Sequence, residues 1–420
     1  YALHIQPATG GTVTKIALDG AGFYANLNWS PDSKKLAYVD NARNLFLATV
    51  STRSTVKIAA DEMYVPGPFR NLFSDWSFDS NWIAYTVITG NNFEQAYLYS
   101  VSENRSFKVS DGLSNVSEPT FDPSGKYLYM LASTDAGPVV NWFDQSNNDM
   151  NATNSIYLAT LQQTTVSPFA KENDEEPVKD EEQEDKEKPK SLTIDWNGFT
   201  NRIIDVPLQP SNYRNLNVGK EGQLYFIGTK SNRPTMIHYD IIKRKENEVM
   251  PANGFEIADG GKKVLYNNRG NMGIADLGSK PKDGPINLSN VKVKIDPKAE
   301  WQNIFNETWR VNRDYFYDPN MHGADWPAMK EKYSVFIPYA SCKSDLYRIM
   351  EWMCSELAVG HHRFGSRGDQ MNSPDRIQTG LLGADYTVNN NRYQISKIYG
   401  GLNWNPNMRS PLTEPGVNVN

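Results

Sequence analysis

Five histidines are the groups in this 420-residue chain best suited to move a proton near neutral pH. His361 and His362 stand apart from the rest. They follow the end of an apolar helical pattern and precede Arg363-Phe364-Gly365, a place where a side chain could face a cleft. The residues alone leave open whether either one transfers a proton. His4 and His238 fall on expected strands and read as ordinary strand residues. His322 sits beside Gly323 in a turn-like segment, where it is expected to fix the loop by hydrogen bonding. Cys342 and Cys354 are the only cysteines and have no His or Cys neighbours at zinc-ligand spacing, so neither a disulfide framework nor a structural zinc is expected. With no Walker-type loop, G-x-G-x-x-G fingerprint or metal constellation in view, no cofactor and no metal is assigned.

The histidines of interest lie in a helical stretch that begins after Pro297. Trp301, Ile304, Phe305, Thr308, Val311 and Tyr315 share one helical face, and the alternation typical of strands stops there. Pro319 and Gly323 punctuate a loop over 318–323. A second helix is expected from Trp326 to Tyr333 and a third from Asp345 to Leu357, the latter capped by Ser344 and striped by Leu346, Ile349, Met350, Met353 and Leu357. These Met and aromatic stripes read as core.

Upstream of the helices the chain repeats. A large residue, a Ser/Pro/Asp/Gly turn and a short apolar strand appear at Trp29-Ser-Pro-Asp, running on to Leu36-Ala-Tyr38, and again at Trp76-Ser-Phe-Asp, running on to Ile83-Ala-Tyr85. Phe121-Asp-Pro-Ser-Gly to Tyr129 is a third copy, and weaker copies span Asn217 to Phe226 and Ile257 to Tyr266. The intervals are 47, 45, 96 and 40 residues, the long one holding an insert. A third strand and usually a fourth follow each hairpin, which describes a β-propeller blade. Ala2 to Ile5 and Val13 to Leu18 resemble the last two strands of another blade. Five blades and a half do not close a ring, so the chain is expected to begin inside a larger protein, or to be completed by another segment; a small propeller with one degenerate blade is the alternative.

Bulk properties narrow the function classes. A chain of 420 residues predicts two or three domains. Mean hydropathy is −0.60, and no run approaches the roughly 20 apolar residues of a membrane helix. Nothing before Asp19 has the form of a signal peptide. The net charge of −6 is concentrated in Lys171 to Lys190, where ten acidic and five basic residues contribute −5. The remainder is nearly neutral, which argues against nucleic acid as a partner. An acidic, disordered insert at 170–190 is the expected reading of the charge run.

The propeller taken alone resembles TolB-like domains that bind partner proteins. The segment after it is more specific. Ile304-Phe305-Asn306-Glu307-Thr308-Trp309-Arg310 and the run from Arg313 through Asp318-Pro319-Asn320-Met321-His322-Gly323 to Trp326 resemble the first catalytic subdomain of the tricorn protease family, and Asp345-Leu346, Glu356-Leu357 and Gly360-His361 continue the match. Gly380 to Val417 is similar to the PDZ domain of that family. The resemblance implies a mostly β fold: a propeller of five recognisable blades and a half blade over 1–296, a helical subdomain over 297–372 and the start of a PDZ domain over 378–420.

It also implies a serine peptidase acting on peptides or unfolded chains, a homo-oligomer when full length, with the propeller governing access and His361 as general base. The nucleophilic serine and the acid that orients the base are implied to lie after the PDZ domain. The 420 residues alone are therefore expected to lack peptidase activity. Gly360 departs from the family pattern, which has Ser before the base. That departure keeps an inactive homologue open, beside the non-catalytic TolB-like alternative. The substrate-binding residues are unknown, and the resemblance implies a cytoplasmic protein, or a periplasmic one if an export signal precedes Tyr1.

Overall fold

The computed structural model describes residues 1–18, 22–64, 69–134, 149–150, 152–170, 191–282, 284–362, 364–365, 368–369, 377, 380–402, 404–405 and 408–417. The acidic run at 171–190 and Arg363 lie outside them. The chain divides into two units, Tyr1–Lys294 and Ile295–Asn420.

The first unit is a β-propeller built from antiparallel sheets in chain order. A two-stranded half blade, β1 (Ala2–Ile5) and β2 (Thr14–Ala17), comes first. Four four-stranded blades follow. They are β3 (Tyr24–Trp29), β4 (Lys35–Asp40), β5 (Asn44–Thr49) and β6 (Ser54–Ala60); then β7 (Phe73–Trp76), β8 (Trp82–Ile88), β9 (Glu94–Ser100) and β10 (Arg105–Lys108). The next two are β11 (Asn115–Phe121), β12 (Tyr127–Ser133), β13 (Ser155–Thr160) and β14 (Ile203–Asp205), and β15 (Arg214–Val218), β16 (Gln223–Lys230), β17 (Arg233–Asp240) and β18 (Lys245–Pro251). The fifth blade has three strands, β19 (Gly254–Ile257), β20 (Lys263–Asn268) and β21 (Asn271–Asp276), and Ile286 N–H donates to Met272 O where a fourth strand would run. The insert of the long repeat falls between β13 and β14 of one blade.

The repeated turn has a backbone reason. The fifth residue of the block lies in the left-handed region in successive copies: Ser33 (φ 57°), Ser80 (φ 60°) and Gly125 (φ 74°). Ser30 Oγ and Ser77 Oγ each donate to the Asp two residues on, at 2.6 Å, so the side chains close the turn. The strands then pair in one register, Trp29 with Leu36, Trp76 with Ile83, Phe121 with Leu128 and Ile257 with Val264.

Each second strand is apolar on both faces because a blade is covered on both sides. Along β8, Ile83, Tyr85 and Val87 pack toward the preceding blade, while Trp82 and Ala84 pack toward the next. Along β12, Leu128 and Met130 face back and Tyr129 and Leu131 face forward. A single core cluster thus fills each gap between neighbouring blades, and a one-residue slip of register would exchange the two faces.

The second unit begins with α1 (Pro297–Tyr315), started by Asp296, whose carboxylate accepts the N–H of Lys298 at 3.0 Å, and by Pro297 at the first helical position. α2 (Trp326–Ser334) is capped by Asp325, and α3 (Lys343–Ser355) follows. Trp301 and Phe305 of α1, Trp326 and Tyr333 of α2 and the expected stripe Leu346, Ile349, Met350, Met353 and Leu357 form one buried core. The indoles of Trp309 and Trp326 donate to each other's carbonyls at 2.8 and 2.9 Å. The cap of α3 differs from expectation: the helix starts two residues earlier, Cys342 occupies the cap, and Ser344 is inside it. The leading N–H, that of Lys343, is satisfied instead by the Asp369 carboxylate at 3.0 Å. Further on, β22 (Ala384–Asn389) and β23 (Arg392–Ile398) form an antiparallel hairpin.

Candidate active site

The segment carrying His361 grows out of the end of α3. After Ser355 the helix tightens into shorter turns, with Leu357 N–H donating to Cys354 O at 3.1 Å and Ala358 N–H to Ser355 O at 3.0 Å. Leu357 is fully buried, and Ala358 then turns the chain with φ 50°. Val359 and Phe364 pack onto the helical core on either side, leaving Gly360, His361 and His362 exposed between them. The exposed pair is therefore held at two ends by apolar contacts.

The two imidazoles differ. His362 stacks on Phe364, with centroids 5.4 Å apart and planes at 20°, and desolvation holds its pKa below the ordinary imidazole value. His361 has a left-handed backbone (φ 62°), and neither of its ring nitrogens has a hydrogen-bond partner among the described residues. An exposed imidazole without a partner can accept a proton from whatever group is brought to it. At Gly360 an added Cβ would meet no atom of the described residues within 4 Å, so they leave room for a side chain before His361.

The other histidines are structural. His4 pairs with Lys15 across β1 and β2. His238, on β17, meets Gln223 Oε1 through Nε2 at 2.6 Å and stacks on Tyr225, and burial lowers its pKa. His322 fixes its loop as expected: Nδ1 lies 2.8 Å from Leu357 O, and Nε2 lies 2.5 Å from the Tyr317 hydroxyl. The sequence reading missed Tyr317. The Leu357 carbonyl, 35 residues from His322, has no signature in sequence at all.

A cavity of about 290 Å³ on the same unit is lined by Trp309, Arg313, Met321, Asp325 and Trp326, and His361 is not among its walls. Among the described residues no group of three or more His, Cys, Asp or Glu is arranged to hold a metal ion. No helix among them is long and apolar enough to cross a membrane.

Comparison with known proteins gives three family matches in chain order: the tricorn protease second beta propeller domain over residues 1–278, the tricorn protease C1 domain over 297–355 and the tricorn protease PDZ domain over 380–420. His361 lies between the second and third matched segments. The chain is 26% identical to tricorn protease homolog 1 of Streptomyces coelicolor, over all of its own length and 41% of that protein's. It is also 26% identical to a tricorn protease homolog of Saccharolobus solfataricus, over 93% of this chain and 36% of the relative. The crystal structure of the tricorn protease superposes with a TM-score of 0.69 at 17% identity, covering 99% of this chain and 41% of that one, which establishes the fold. The chain spans less than half the length of these proteins.

Proposed function

The chain belongs to the tricorn protease family, and from that premise we propose that it forms the propeller, the base-bearing subdomain and the beginning of the PDZ domain of a serine peptidase acting on peptides. The observation that carries this reading is the exposed imidazole of His361, without a hydrogen-bond partner among the described residues and set at the exit of a buried helix, in a chain whose three domain matches follow the family's order.

In this reading His361 is the general base. A serine hydroxyl is a weak nucleophile at neutral pH, and a neutral imidazole brought within hydrogen-bond reach takes its proton as the C–O bond forms. The same nitrogen then returns the proton to the leaving amine when the peptide C–N bond breaks. The serine, the acid that orients the base and the oxyanion donors would come from segments outside residues 1–420. The propeller would restrict access to extended or unfolded chains.

One observation favours a second reading. Gly360 stands where the family has a serine beside the base, and without that hydroxyl the imidazole loses one orienting contact; a homologue that binds peptides without cleaving them would tolerate this. The test is hydrolysis of fluorogenic peptides by the full-length protein and its His361→Ala variant. The peptidase reading expects kcat to fall by orders of magnitude with folding intact. Unchanged turnover in the variant removes His361 from the mechanism.

A further inference from the structure

The loop before α2 and the end of α3 are joined by one side chain. Asp318 accepts the N–H of Asn320 at 3.0 Å and that of His322 at 2.9 Å, folding the loop into a tight turn. Within it Met321 (φ 52°) and His322 (φ 53°) both lie in the left-handed region before Gly323 (φ 84°). Two consecutive non-glycine residues in that region are costly and persist where surrounding contacts over-determine them.

The contacts are those of the His322 ring. A carbonyl oxygen only accepts, so the 2.8 Å contact with Leu357 O assigns the proton to Nδ1. In the neutral imidazole Nε2 is then the acceptor, filled by the Tyr317 hydroxyl. Phe316 and Tyr317 both meet the ring edge to face, with centroids 5.1 Å away, so its plane is fixed. Leu357, buried two residues past the end of α3, has a carbonyl to which no backbone N–H donates among the described residues. Only Ala358, Val359 and Gly360 separate it from His361.

We propose that His322 is a positioning residue: its Nδ1–H clamp on the Leu357 carbonyl fixes the direction in which the chain leaves α3 and so the place of the His361 ring. The inference rests on the reading of His361 as base. Burial of Leu357 and the packing of Val359 and Phe364 hold the segment to the core, and the clamp adds a directional polar contact on its backbone that sets its rotation. A catalytic group misplaced by about 1 Å loses up to about 100-fold in rate.

The experiment compares His322→Ala, His322→Asn and His361→Ala. Asn suits a left-handed backbone and sets an amide N–H near the position of Nδ1. In the full-length protein, His322→Ala is expected to lower kcat about 10- to 100-fold with KM changed by less than about twofold, and His322→Asn to restore most of it. In the 420-residue chain, His322→Ala is expected to shift the His361 ring resonance in a ¹H–¹³C correlation spectrum, and His322→Asn to return it. An unmoved resonance overturns the clamp, as does a loss of kcat that follows the folded fraction and is not restored by His322→Asn. Inactive His361→Ala together with unchanged kcat in folded His322→Ala overturns the clamp alone; full activity in His361→Ala overturns the base assignment beneath it.

Discussion

Across the boundary between two blades, the Asp75 carboxylate accepts the backbone N–H of Phe121 at 2.8 Å while its other oxygen accepts that of Trp76, also at 2.8 Å. No cation shares the site among the groups acting on it; burial raises the carboxyl to about 7 against the lowering effect of both N–H donors. The relationship is repeated with other side chains. Glu118 Oε2 accepts Leu216 N–H at 2.6 Å, and Asn215 Oδ1 accepts Phe255 N–H at 2.8 Å, so the first strands of consecutive blades are stitched by side chain to backbone.

A stability change with pH follows from Asp75. Its folded pKa stands above the value of 3.8 for the free group, so between those two values the folded state binds the extra proton. Its contribution is therefore fully present below about pH 4 and is lost as pH rises through 7. Part of the residue's surface remains accessible, which reduces the swing to about 1–2 kcal/mol. Urea unfolding at pH 5 and pH 8 should show the wild type losing more stability across that interval than Asp75→Asn does. An equal change in both proteins would remove Asp75 as the source.

Arg70 presents a different balance of charge. Its guanidinium reaches Asp61 Oδ1 at 2.8 Å, Glu94 Oε1 at 2.7 Å and Thr86 Oγ1 at 2.8 Å, and the Asp61 side chain is only 2% exposed. Removing the cation leaves a buried carboxylate whose nearest remaining positive partner, Arg43, is 3.8 Å away. Arg70→Ala should therefore destabilise the propeller by about 3 kcal/mol, and Arg70→Lys should recover only part of it, because one ammonium cannot span three acceptors in a fork. The readout is the urea midpoint at constant m-value. A midpoint unchanged in Arg70→Ala would show that the network contributes nothing.

The blades were legible in sequence because their signal is local. The turn needs a left-handed residue four positions after a large one, and Ser33, Ser80 and Gly125 supply it within blocks whose apolar runs are short and contiguous. The helical stripe was legible for the same reason: Leu346, Ile349, Met350, Met353 and Leu357 recur at helical spacing and all are buried. The α3 cap was not, because its donor is satisfied by Asp369, 26 residues away, while the adjacent Ser344 offered the standard local signal. At the site, sequence named His361 and expected His322 to hold its loop. It could not tell that the His322 ring is tied to the carbonyl of Leu357, since a contact to backbone leaves no residue type to recognise.

Gly360 gives the last prediction its sign. Glycine is required where a Cβ would clash or where φ is positive, as at Gly261, whose Cβ would stand 2.6 Å from Gly219 O with φ 64°. Position 360 shows neither condition: among the described residues nothing lies within 4 Å of an added Cβ, and its φ lies outside the left-handed region. Gly360→Ser should therefore fold with a melting temperature equal to or slightly above the wild type, since replacing glycine at a compatible backbone reduces the entropy of the unfolded chain by about 0.4–1 kcal/mol. On the proposed reading of His361 as the base, a hydroxyl at position 360 of the full-length protein is expected to orient its ring, so kcat for peptide hydrolysis should rise while KM stays unchanged. Thermal unfolding and steady-state kinetics on the same preparation separate the two effects. A stable Gly360→Ser variant with no gain in kcat would mean that another group already orients the base, whereas a destabilised one would contradict the open space before His361.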